Sequence, residues 1–149
     1  MKQQTRICAK ALVIKDGHVL LSKERGKQGE VLYFMPGGGL EAGELLPETV
    51  RRECLEECGL EVNPTALAFV VEGKWHGVHR IDFVFSCDYV RETGDLGTKW
   101  DKCQIGFEWV DIENIANEPL YPRKLRSATL NYHNNKAAEV YLGSENEDE

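Results

Sequence analysis

Long apolar runs are missing from this 149-residue sequence. No stretch approaches the roughly 18 consecutive apolar residues that mark a membrane-spanning helix. The first ten residues, MKQQTRICAK, have no apolar core of the kind a secretory signal carries. There is no C-x-x-C pair, and the cysteines number five, an odd count. Reduced thiols in a cytoplasmic chain are the expectation, with no disulfide framework. Cys54 and Cys58 stand one helical turn apart, but free cysteine packs as a small hydrophobe, so both are expected in the core. An excess of positive charge is also lacking. Net charge is −7, which excludes a broad basic surface for nucleic acid or anionic membrane. A small anionic ligand reached through a cation stays open. The sequence has no internal repeat and no linker.

What is present is an ordinary globular composition, 42% hydrophobic and 29% charged. A chain of this length buries roughly 68–70% of the surface its unfolded form exposes. One domain over residues 1–142 is expected, followed by GSENEDE at 143–149, read as a disordered acidic tail. Strands are expected at 6–15, at 18–23 after the Asp16-Gly17 hairpin signal, and at 32–35. Pro47 opens a helix that runs to about Cys58, with Gly59 as its stop. A strand near 65–72 precedes a loop at 73–79. Residues 79–90 alternate, placing Ile81, Phe83, Phe85, Cys87 and Tyr89 on one face. A polar loop at 91–103, a strand at 104–110, a helical turn at 111–117 and a helix near 123–135 complete the reading. Mixed strands with two helices indicate an α+β fold.

The helix at 47–58 carries Glu53, Glu56 and Glu57 within five positions. At about 100° per residue they fall within an arc of roughly 100° that borders the face of Val50, Cys54 and Cys58. Like charges at this spacing destabilise a helix by a few tenths of a kcal/mol. Arg52 relieves part of that repulsion. A solvated acidic face is one reading. A divalent cation is the other, because Mg²⁺ takes one or two carboxylates together with substrate phosphates and water. Directly before the helix, Gly37, Gly38 and Gly39 either make a tight turn or let backbone approach an ion or phosphate closely.

These residues resemble the Nudix hydrolase family. Its signature is Gly, five residues, Glu, seven residues, Arg-Glu-aliphatic, one residue, Glu-Glu, one residue, Gly-aliphatic. Here Gly38, Glu44, Arg52-Glu53, Glu56-Glu57, Gly59 and Leu60 stand at that spacing, with Cys54 replacing one aliphatic residue. Chance recurrence of the fixed positions is on the order of once in 10⁸ starts. The motif spans residues 38–60, and the strand pattern extends a looser likeness over 6–135.

The resemblance implies an α/β/α sandwich with a mixed sheet and a loop-helix-loop motif. It implies Mg²⁺- or Mn²⁺-dependent hydrolysis of a nucleoside diphosphate linked to another group. By the same resemblance, Glu53, Glu56, Glu57 and the Gly37 carbonyl look like metal ligands. Arg52 orients the carboxylates, with Glu44, Gly38 and Gly59 in support. Glu108-Trp109 is similar to a later Glu-Trp of the MutT-like branch, so Glu108 is either a metal ligand or water-orienting base, or an exposed strand carboxylate. Glu53 is the first choice for proton acceptor.

Lys23, Arg25 and Arg80 are candidate phosphate or substrate contacts, or solvated charges. Tyr33, Phe34 and Trp75 stack a base or simply pack, and His76 and His79 are open in the same way. A small nucleotide is the expected partner, and a homodimer is left open. The substrate leaning is ADP-ribose or a nucleotide sugar. Nucleoside triphosphates, dinucleoside polyphosphates and a non-catalytic nucleotide sensor are the alternatives.

Overall fold

A computed structural model describes residues 4–94, 103–136 and 139–146. Strand β1 (Gln4–Lys15) lies at the centre. Its alternation sends Ala9, Ala11 and Val13 to one face and Leu12 to the other, and all four are buried. Asp16 and Gly17, both at positive φ, turn the chain into β2 (His18–Arg25). Only Ile14↔Val19 and Lys15↔His18 pair across that turn. Beyond it the strands diverge, and β2 pairs with β3 (Val31–Phe34) and β7 (Gln104–Asp111).

The edge of β1 left open is taken by the glycine run. Gly37–Gly39 forms a short strand, β4, antiparallel to Cys8–Lys10. The sequence reads as a loop there because glycine favours turns. Pairing overrides that preference, since a Cβ at Gly37 would stand 2.2 Å from the Ala9 carbonyl oxygen and no other residue fits.

On its second edge β1 runs parallel to β6 (Val78–Glu92), in register from Gln4↔Val78 to Val13↔Cys87. β6 is antiparallel to β5 (Leu60–Trp75). The expected loop at 73–79 is a two-residue hairpin turn at His76-Gly77, both at positive φ. Trp75 pairs with Val78 across it. Histidine at the first position gave no Asn-Gly or Asp-Gly signal.

Helix α1 (Leu46–Cys58) starts beside Pro47 and ends at Gly59, whose φ of 64° is left-handed. It packs Val50, Cys54 and Cys58 on Ala9, Ala11 and Val13. Short side chains on β1 let helix and sheet approach closely. The opposite face is covered by a 3-10 turn (Ile112–Asn117) and α2 (Lys124–His133), around Leu12, Phe69, Val84 and Leu125. The α+β sandwich with a mixed sheet is therefore as expected. In β6, Phe85, Cys87 and Tyr89 join the α1 side, and Asp82, Val84 and Ser86 are buried on the other. Cys8, Cys54, Cys58 and Cys87 are free and buried, and Cys103 is exposed.

The disordered tail expected at 143–149 is corrected over 143–146, while 147–149 lie outside the described residues, as do 95–102 of the polar loop. Tyr141–Ser144 forms β8, parallel to β5. Glu145 is 5% exposed, and its N–H donates to the Glu72 carbonyl at 2.8 Å. Its carboxylate accepts from the Arg123 N–H at 2.8 Å and the Lys124 N–H at 3.0 Å. Arg123, the residue before α2, supplies no side-chain cap. Glu145 caps the helix instead, which a composition-based reading of a polar terminus does not show.

Candidate active site

Helix α1 and β4 meet where Glu53 lies over Gly38. A Cβ on Gly38 would fall 2.5 Å from Glu53 Oε1, so glycine makes the room this carboxylate occupies. Glu57, one turn further on, is buried and hydrogen-bonded to Glu53. Burial, first, and then the hydrogen bond with Glu53 push the Glu57 carboxyl up to about 8. The Lys10 ammonium and the Gly37 N–H pull it the other way. Gly37 thus meets Glu57 through its N–H.

Arg52 organises the remaining carboxylates. Its Nε donates to Glu44 Oε2 at 2.7 Å, and Nη2 donates to Glu44 Oε1 at 3.0 Å. Nη1 donates to Glu53 at 2.9 Å and Glu56 at 3.3 Å, and Nη2 also reaches the Gly39 carbonyl at 3.2 Å. This bidentate fork holds the Glu44 carboxyl down at about 2. Glu44 also accepts from Thr49 Oγ1 at 2.8 Å and the Glu41 N–H at 3.0 Å, which ties the loop before α1 to the helix. Glu56 is drawn toward Arg52 while Glu53 and Glu57 face each other. Among the described residues, no three acidic, histidine or cysteine groups converge as a finished metal centre.

Two cavities adjoin, sharing Lys10, Phe34, Met35 and Arg80. The polar one, of about 200 Å³, is bounded by Glu57, Gly37, Gly38, Arg6, Ser22 and Glu24. The second, also about 200 Å³, has apolar walls from Phe34, Trp75, Tyr121, Pro122 and Leu125, with Asp82 and Glu145 among its polar groups. Lys10 is only 7% exposed and stands at both. Parallel pairing of β1 with β6 sets Arg6 beside Arg80, which brings the cations to one end of the sheet.

Of the residues expected from sequence, the structure brings together Glu53, Glu57, Gly37, Gly38, Arg52 and Glu44, with Trp75, Phe34, His76 and Arg80 on the adjoining walls. Gly59 supports the helix end from outside the cavities. Glu108 lies elsewhere. Along β2, Leu21 and Lys23 alternate with Ser22 and Glu24, and Glu108 is paired opposite Leu21. Its carboxylate accepts from Tyr33 Oη at 2.5 Å and lies 3.9 Å from Lys23 Nζ. Glu108, Lys23 and Tyr33 therefore form a cluster on the face opposite Ser22 and Glu24. Arg25 donates to the Gly29 carbonyl within its own loop. His79 bonds Glu72 at 2.6 Å, and Glu72 also accepts from Tyr141 Oη. Arg6, Lys10, Asp82 and Glu145 are the site residues that the sequence reading missed.

A family model described as the NUDIX domain matches residues 4–130. The chain belongs to the Nudix family. It is 30% identical over 133 residues to nucleoside triphosphatase NudI of Escherichia coli O139:H28, covering 80% of this chain and 90% of that protein. It is 32% identical over 108 residues to the NAD-capped RNA hydrolase NudC of Photorhabdus laumondii, covering 72% of this chain but 38% of that longer protein. Among solved structures, the MutT protein of Methanosarcina mazei superposes with a TM-score of 0.72 at 27% identity, covering 91% of this chain and 99% of the other.

As a Nudix hydrolase the chain is a pyrophosphohydrolase, and nucleoside diphosphate derivatives and triphosphates are the substrates this family membership supports. The Nudix residues also fit a divalent cation. Two acidic groups face one another in a mostly buried position, with hard oxygen donors only and a neighbouring cavity rich in cations. Burial and the second carboxylate favour a bound proton at Glu57, and a divalent cation would offset the same crowding of negative charge. No described helix is long and apolar enough to cross a membrane.

Proposed function

We propose that this Nudix domain hydrolyses a pyrophosphate bond of a nucleoside triphosphate, with Mg²⁺ or Mn²⁺ held by Glu53 and Glu57 and supported by Glu56. The observation that carries this reading is the Glu53–Glu57 pair seated on Gly38 at the mouth of a cavity containing Lys10 and Arg80. When bound, the cation offsets phosphate charge and lowers the pKa of a coordinated water.

The chain's own groups do the rest. Lys10 and Arg80 meet the phosphate oxygens, and the adjoining apolar cavity takes the nucleobase against Trp75, Phe34 and Tyr121. Arg52 fixes Glu53 so that its carboxylate accepts the proton of the attacking water. Water oxygen bonds to phosphorus, the P–O bond of the anhydride between the α and β phosphates breaks, and the bridging oxygen leaves with the other half, giving nucleoside monophosphate and pyrophosphate.

A triphosphate is preferred here over ADP-ribose because the match to nucleoside triphosphatase NudI covers 80% of this chain and 90% of that protein. The net charge of −7 suits a triphosphate as well as ADP-ribose. A purely binding role has no need of the whole set Glu44, Arg52, Glu53, Glu56 and Glu57. The test is a panel of the common nucleoside triphosphates, ADP-ribose and UDP-sugars with Mg²⁺ or Mn²⁺, read by product identity. Nucleoside monophosphate plus pyrophosphate from a triphosphate supports the reading. Turnover of ADP-ribose or UDP-sugars alone overturns it.

A further inference from the structure

Building on the nucleotide reading of this site, we infer that Asp82 reads the edge of the nucleobase, accepting a hydrogen bond from an amino group or ring N–H. The argument begins with the placement of charges around the apolar cavity. Its acidic, basic and histidine lining residues are Lys10, Arg80, Asp82, Glu145 and His76. Lys10 and Arg80 also bound the polar cavity at Glu57, so their charge is directed to the phosphates. Both Glu145 oxygens are committed to the N–H groups at the start of α2.

Asp82 belongs to the apolar cavity alone. It is 3% exposed. Its Oδ1 accepts from Arg80 Nε at 3.0 Å, and among the described residues no hydrogen bond engages its Oδ2. An ionised carboxylate is an acceptor only. Arg80 fixes one oxygen and leaves the other for a donor inside a space walled by Phe34, Trp75 and Tyr121.

The chain also positions the opposite wall. A Cβ at Gly73 would meet the Glu145 carbonyl oxygen at 1.8 Å and the Trp75 ring at 2.4 Å. Glycine there lets the indole and the C-terminal backbone crowd the same stretch of β5. A planar ring entering beside Trp75 is then confined, and its donor edge can meet Asp82. A site arranged in this way rejects an analogue that lacks the donor, because the buried acceptor is left unpaired.

The test compares the best of the common nucleoside triphosphates with its counterpart that has no N–H donor on the base. That counterpart is purine riboside triphosphate for a purine and pyrimidin-2-one riboside triphosphate for a pyrimidine. Hydrolysis is read as kcat/KM, and binding of the corresponding monophosphates is read by calorimetry. Wild type is expected to disfavour the analogue by about tenfold or more, mostly in KM. Asp82→Asn keeps the volume and an oxygen for Arg80, and it should narrow the gap to under about threefold. Equal use of both bases by wild type overturns the inference, and so does an undiminished gap in Asp82→Asn. If the variant does not fold, the wild-type comparison alone decides. Discrimination in binding without any hydrolysis leaves Asp82 as the base reader and overturns the proposed hydrolysis instead.

Discussion

Glu57 and Glu53, one helical turn apart, are hydrogen-bonded to each other over Gly38. Burial makes a carboxyl hold its proton more firmly than water does, and contact with a second carboxylate adds to the effect. Glu57 is thereby raised from 4.5 to about 8. Between these values the native protein holds more protons than the unfolded chain, so stability falls as pH rises through that window. Above about pH 8 the cost no longer grows. In EDTA, thermal melts of wild type should lose ground relative to Glu57→Gln between pH 5 and pH 8. Adding Mg²⁺ should reverse the order, since only the native pair binds the ion. Parallel curves for the two proteins would refute the shared proton.

Arg52 grips Glu44 with two nitrogens while the same guanidinium reaches Glu53 and Glu56. Lysine has one nitrogen and cannot hold both sides. Arg52→Lys should keep the fold and lose about tenfold or more in kcat, with KM moving less. Unchanged kcat would show that Glu53 needs no orienting partner.

Glu108 shares its face of the sheet with Lys23 and Tyr33. Its neighbours on that side are not the groups that bound the Glu57 cavity. Glu108→Gln is expected to retain kcat within about threefold. It should also lower the Tyr33 pKa, now pushed up to about 12, chiefly by the hydrogen bond to Glu108. Ultraviolet titration of the phenol checks the second point. A loss of about 10² in kcat would return Glu108 to the machinery.

Deletion of residues 143–149 removes the end of β8 and the carboxylate that caps α2. A lost cap costs about 1 kcal/mol, and the lost strand pairing adds to it. A drop in melting temperature of roughly 5 °C is expected. KM should rise as well, because Glu145 is part of the cavity wall. An unaltered melt and KM would mean that the terminal segment does not dock in solution.

The glutamate-bearing helix α1 was the most legible part of the chain. Its charges, glycine stop and proline start are all local, and helical period alone places Glu53 and Glu57 together. Lys10 was hidden for the opposite reason. It sits in an ordinary strand pattern and reaches the site only through pairing with Gly37. Asp82 interrupts an alternating run as one polar residue among several. Pro122, Leu125 and Glu145 stand around it on that face, which no sequence period reports. Glu145 lay in a stretch without apolar side chains, where composition predicts disorder. Backbone pairing with Glu72 and a helix terminus in need of acceptors hold it in place.

The central claim is that Glu57 serves hydrolysis through a divalent cation. Its most direct test is the hydrolysis of the preferred nucleoside triphosphate by wild type and Glu57→Gln, followed by phosphorus NMR across a Mg²⁺ titration starting in EDTA. The account predicts no turnover in EDTA and monophosphate plus pyrophosphate from wild type as Mg²⁺ rises. It also predicts a kcat lower by about 10² or more in the variant at saturating Mg²⁺. Equal turnover by the two proteins, or turnover by wild type in EDTA, would contradict it.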